Sequence, residues 1–134
     1  MSSNIKIHTA TKRKKTIKNP KDHEKFVAES LGGRRTPASG AIEVFKGDVS
    51  DVRAGEFDFL VECKCTSASS MSIKKAWLEK IRREAEFNMG REPMFAFRYY
   101  EGSRSTDWVA VPMETMVRML ETIREHWECV TGKK

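Results

Sequence analysis

Asp48 and, 14 positions later, Glu62-Cys63-Lys64 offer two acids and an amine that can meet if they lie on neighbouring strands. Strand side chains alternate with period two, so Glu62 and Lys64 share a face. With Asp48 ending the adjacent strand on that face, two carboxylates converge, and a hard divalent cation best relieves their repulsion. Magnesium takes oxygen ligands and keeps several waters, one of which could be activated for attack on phosphorus. Lys64 could orient that water and stabilise the developing pentacovalent charge. A further carboxylate comes from the first helical stretch. At 100° per residue Val27, Ala28 and Leu31 fall on one stripe, with Glu24 near its middle and Glu29 pointing well away. An inward carboxylate is costly unless paired or holding a cation. In the alternative, the first helical turn is open enough for Glu24 to reach water and complement the helix dipole. Asp followed by Glu-x-Lys is also what a charged, solvent-facing strand shows, so its weight comes from agreement with the features around it.

The elements that must position these groups follow from the same sequence. Pro20 followed by Lys21-Asp22-His23-Glu24 opens a helix that Gly32-Gly33 stops. Arg34-Arg35-Thr36-Pro37-Ala38-Ser39-Gly40 is a loop that gathers two guanidinium groups and two hydroxyls. Residues 44–49 read as a short strand with a turn at Gly47. Residues 57–65 alternate most strongly, with Phe57, Phe59, Val61, Cys63 and Cys65 on one face and Asp58, Leu60, Glu62 and Lys64 on the other. A polar loop over 67–72 leads into a helix over about 73–89, with Gly90 as its stop. Ile73, Trp77, Ile81, Ala85 and Asn88 repeat along that helix, with Trp77 read as core, while Lys74, Lys75, Lys80, Arg82 and Arg83 populate its flanks. Residues 94–100 and 108–111 read as strands pairing across a turn. Pro112 then begins a last helix striped by Met113, Met116, Val117, Leu120, Ile123 and Trp127, a stripe that fits core, interface or both. The order predicts an α/β fold with a mixed sheet flanked by helices, the Cys65-to-Met94 crossover being compatible with parallel pairing.

The chain has 134 residues, the size of one domain. A basic arm over 1–20 is expected to precede a single domain over 21–130. No run approaches the ~18 apolar residues of a membrane span, and the polar, basic N-terminus lacks the apolar stretch of a secretory signal, which points to the cytoplasm and away from membranes. Three cysteines, two of them in Cys63-Lys64-Cys65, read as reduced thiols packed in the core. Charge is divided unevenly. Residues 1–21 hold Lys6, Lys12, Arg13, Lys14, Lys15, Lys18 and Lys21 and no acid, a side-chain charge of +7, so the chain's net +6 arises there while the rest sums to −1. Such an arm is either a solubilising tail or a segment drawn to nucleic-acid phosphates.

The layout Glu24, Arg34-Arg35-x-x-x-Ser39-Gly40, Gly47-Asp48, Glu62-Cys63-Lys64, a basic helix and the strand Met94-Phe95-Ala96-Phe97 resembles the PD-(D/E)xK nucleases. Within that superfamily it is most similar to the archaeal-type and phage Holliday junction resolvases, over about residues 20–111. The resemblance implies a restriction-endonuclease-like fold, a two-fold homodimer, a magnesium-dependent site and paired nicks in opposing strands of a four-way junction. It implies that Asp48 and Glu62 are metal ligands, the Cys63 carbonyl is a backbone ligand, Lys64 is the catalytic lysine and Glu24 the helix-borne acid, with Glu29 as the fallback. Ser39 would match the family's loop serine, and Arg35 or Arg34 its phosphate-binding arginine. Gly47 stands where the motif has proline.

The resulting expectation is a magnesium-dependent endodeoxyribonuclease, with manganese as a substitute ion, that resolves branched DNA. The loop arginines, Lys74 and Lys75 on the helix flank and Lys12, Arg13, Lys14 and Lys15 in the arm would hold phosphates, giving steep salt dependence and little base preference. A restriction-like, repair or replication-fork nuclease shares these features. So, from a different class, does a nucleic-acid-binding module whose carboxylates form no working site.

Overall fold

A computed structural model describes residues 19–36, 47–87 and 89–132. Lys12, Arg13, Lys14, Lys15 and the rest of the expected arm through residue 18 lie outside the described residues, as do Ser39, residues 44–46 of the expected first strand, and Asn88.

Helix α1 spans Pro20–Leu31. Asn19 caps it, its side chain accepting the Asp22 N–H at 3.2 Å, and Pro20 occupies the first turn, where its missing N–H costs nothing. Gly32 ends it in the left-handed conformation, φ 71°. Gly33 lets the chain pass close to β2, since a Cβ there would sit 2.6 Å from the Ser50 carbonyl oxygen.

Five strands form one sheet in the order β1 (Arg34–Arg35), β2 (Val49–Ala54), β3 (Phe57–Thr66), β4 (Glu92–Glu101) and β5 (Arg104–Ala110). The β3–β4 pair is parallel and the others antiparallel. Helix α2, Lys75–Phe87, makes the β3-to-β4 crossover, and α3, Met113–Thr131, follows β5. This is an α/β fold with a mixed sheet and flanking helices. Pairing extends past the expected strand limits at both ends of β4 and at the start of β5, because a ladder with partners continues beyond the residues whose alternation is strongest.

Val27 and Ala28 of α1 pack with Val49, Val61, Phe59 and Ala96 on one sheet face, while Ile81 and Ala85 of α2 cover Leu60 on the other. Both faces of the central part of β3, Phe59 to Glu62, are therefore buried. Trp77 of α2 is half-buried and stacks on Phe95 at 6.0 Å between centroids. None of the three cysteines is in a disulfide; Cys63 and Cys65 are half-buried, whereas Cys129, expected in the core, is exposed on α3. The stripe of α3 is likewise mostly exposed. No helix among the described residues is long and apolar enough to cross a membrane.

Candidate active site

The β2–β3 ladder ends at the pair Val49–Val61, whereas β3 remains paired with β4 as far as Thr66. Residues 62–65 thus run past the end of β2 with one edge open. Asp48 stands where β2 would have continued. Its N–H donates to the Val61 carbonyl at 2.8 Å, and its carboxylate Oδ2 accepts the Cys63 N–H at 2.7 Å. A strand residue directs its N–H and C=O to the same side, so the Cys63 carbonyl also faces this open edge. Thr36 secures the approach: its N–H donates to the Asp48 carbonyl at 3.0 Å and its hydroxyl to the Gly47 carbonyl at 2.6 Å.

The open edge borders a cavity of about 260 Å³ lined by Pro20, His23, Glu24, Asp48 and the consecutive residues Glu62 to Cys65. The structure therefore gathers Glu24, Asp48, Glu62, Cys63 and Lys64 from α1, the β2 entry and β3. Glu29 is exposed elsewhere on α1, which decides between the two helix acids as lining residues in favour of Glu24. Of the loop arginines, Arg34 is turned away and bound to Asp51 at 2.6 Å, while the Arg35 charge acts on Glu24. Ser39 lies outside the described residues.

Electrostatics at the edge are those of crowded carboxylates. Burial holds the Glu62 carboxyl above its ordinary range, and the Asp48 charge adds to this against Lys80 and Lys64. Glu24 is raised by burial too, then by the Asp48 charge and by a hydrogen bond with the Asp48 carboxyl. A cation held between these acids would offset their mutual repulsion. Burial, then the surrounding carboxylates, push the Cys63 thiol up, so it is neutral and its backbone oxygen is the donor it can contribute. Among the described residues no three His, Cys, Asp or Glu side chains form a preassembled cation cluster. Glu62 Oε1 is instead turned to Lys64 at 3.7 Å and Lys80 at 4.0 Å.

Lys64 is held from two sides, by Glu62 and by the face of Trp77 with its Nζ 5.0 Å from the ring centroid. Lys74 reaches the same ring at 5.5 Å, and Lys75 pairs with Glu79 at 3.4 Å on the exposed flank.

Two groups escaped the sequence reading. Lys80 was placed on a helix flank, although it lies one turn after Trp77 and so over the same sheet face as Glu62. His23 is 1% exposed and lies 3.6 Å from Asp107, which makes a two-pronged ion pair with buried Arg98 at 2.8 and 3.1 Å. The cross-strand pairing of Arg98 with Asp107 is the only sequence signal for that cluster, and it appears once the β4–β5 register is known.

Comparison of the chain with protein-family models, curated proteins and solved structures gave no match.

Proposed function

We propose that this chain is a metal-dependent, structure-selective endodeoxyribonuclease of the PD-(D/E)xK kind, with a restriction-endonuclease-like fold, that resolves four-way DNA junctions by paired nicks. The observation that carries the reading is the meeting of Glu24, Asp48, Glu62 and Lys64 at one open strand edge. A charged surface strand gives no reason for an acid of a different helix to line the same cavity as Asp48. The choice of a branched substrate rests on the sequence resemblance to junction resolvases and on the charge of residues 1–21.

The donor set suits magnesium or manganese, being oxygen throughout: the carboxylates of Asp48, Glu62 and Glu24 and the Cys63 carbonyl. When bound, such an ion lowers the pKa of a coordinated water and neutralises charge on the attacked phosphate. The chain supplies the rest. Asp48 is fixed by the backbone of β3, so its carboxylate needs little reorganisation. Lys64, braced against Trp77, presents an ammonium beside the acids, where it offsets charge on the phosphate oxygens and donates a hydrogen bond. Lys80 neutralises Glu62 from the helix side, and Arg35 offers a guanidinium next to Glu24 for a neighbouring phosphate. A homodimer would present two such sites to the two strands cut in a junction.

Incubation of the purified chain in magnesium with a four-way junction, and with linear duplex and single strand of the same sequence, tests the substrate. Paired nicks near the branch point in the junction alone are expected. Equal cutting of linear duplex would favour a restriction-like nuclease, and metal-independent binding without cutting a non-catalytic module.

A further inference from the structure

The structure assigns the exposed seam of α3 to antiparallel pairing with a second copy of the chain. Met113, Met116, Leu120, Ile123, Trp127 and Val130 follow one another at intervals of 3, 4, 3, 4 and 3 residues, the heptad spacing of a helix that pairs with another helix. All six are exposed, Ile123 at 61% and Trp127 at 65%. The helix is tied to its own sheet through a different face. Thr115 and Arg118 bond to Glu92, Thr122 bonds to Glu56, and Met119 packs against the core. At 100° per residue those contacts lie about a third of a turn from the seam, which they leave uncovered.

Two features select a second copy as the occupant. The spacing reads the same in both directions, so a reversed copy brings Met113 against Val130, Met116 against Trp127 and Leu120 against Ile123, each layer filled twice by the two-fold axis. Charge agrees with that orientation. Arg124 borders the seam on the side where Glu114, Glu121 and Glu128 recur every seven residues, and reversal sets it beside Glu121 of the other copy, while Glu114 is held by Arg82 of its own chain at 3.0 Å. With the exposed Val117 beside it, the seam runs about 26 Å along the helix.

This inference deepens the homodimer of the proposed function by naming its surface, and it is tested without DNA or metal, so its failure and that of the nuclease reading are separable. Sedimentation equilibrium of the full chain should show a dimer at micromolar concentration. Leu120→Glu and Ile123→Lys should each be monomeric, with dissociation constants raised at least ~100-fold and an unchanged far-UV spectrum, because both positions face solvent within one chain. Mixing the two variants should restore a dimer, since residue 120 of one copy meets residue 123 of the other in the antiparallel register alone. A monomeric natural chain, a dimer indifferent to Leu120→Glu, or a mixture that stays monomeric would overturn the inference.

Discussion

The Asp48 carboxylate accepts the Cys63 backbone N–H at 2.7 Å and so takes the place that another β2 residue would have filled beside β3. One acid thereby both ends a strand pairing and is held rigidly at the opening it creates. Glu62 and Lys64 emerge from the stretch of β3 that this opening uncovers, and α1 lays Glu24 across it.

Metal binding should release protons. Glu24 and Glu62 both titrate above the ordinary carboxylate range, so below their raised values the folded chain carries protons that a cation must displace. Titration calorimetry with magnesium or manganese should therefore give an apparent affinity rising by up to about tenfold per pH unit for each proton displaced, levelling off once both acids are ionised. Glu62→Gln should abolish most of the binding. Lys80→Gln, which removes a positive neighbour, should move the plateau to higher pH. A pH-independent affinity in the natural chain would contradict this.

His23 should make the fold acid-sensitive. Burial and, next, the Arg98 charge lower its pKa from 6.5 to about 4, against the smaller pull of Asp107. Between those values the unfolded chain binds a proton that the folded chain refuses, so the His23 contribution to stability falls as pH drops from 6.5 towards 4, by about 3 kcal/mol. The raised carboxyls act with the opposite sign, which makes the comparison with a variant decisive. Urea unfolding from pH 4.5 to 6.5 should show a stability of the natural chain that rises with pH relative to His23→Gln. Parallel curves would refute the assignment.

The glycine before Asp48 is set by backbone geometry. Gly47 has φ 82°, and a Cβ there would lie 2.7 Å from the Leu60 side chain. Proline, the residue of the motif that this sequence resembles, is locked near −65° and cannot adopt that conformation. Gly47→Pro should cost ~3 kcal/mol or more, and Gly47→Ala about 2 kcal/mol, in thermal or denaturant unfolding. A Gly47→Pro variant as stable as the natural chain would mean that Asp48 is carried by a different turn.

Much of this arrangement was legible in the sequence because it rests on local rules. Pro20 and Gly32 bound α1, period two marks β3, and the helical stripe through Val27, Ala28 and Leu31 points Glu24 inward and Glu29 out. What local rules could not supply was the lateral arrangement. That Arg34 is consumed by Asp51 depends on a bulge in β2 where Asp51 takes φ 59°, and no composition signal announces it. Lys80 and His23 acquire their roles from the elements that they face across the sheet. The α3 stripe was ambiguous for a related reason: a heptad seam specifies apolar contact, and only the packing of Thr115, Met119 and Thr122 against the sheet reveals that the contact is not with its own core.

Asp48 and Glu62 are expected to act in chemistry and not in holding DNA. Cleavage and binding of one synthetic four-way junction by the natural chain, Asp48→Ala and Glu62→Ala, measured side by side in magnesium, test it most directly. Either substitution is expected to lower the cleavage rate by more than about 100-fold, equivalent to ~2.7 kcal/mol of transition-state stabilisation, while junction affinity stays within about threefold. Cleavage by either variant at the natural rate would contradict it.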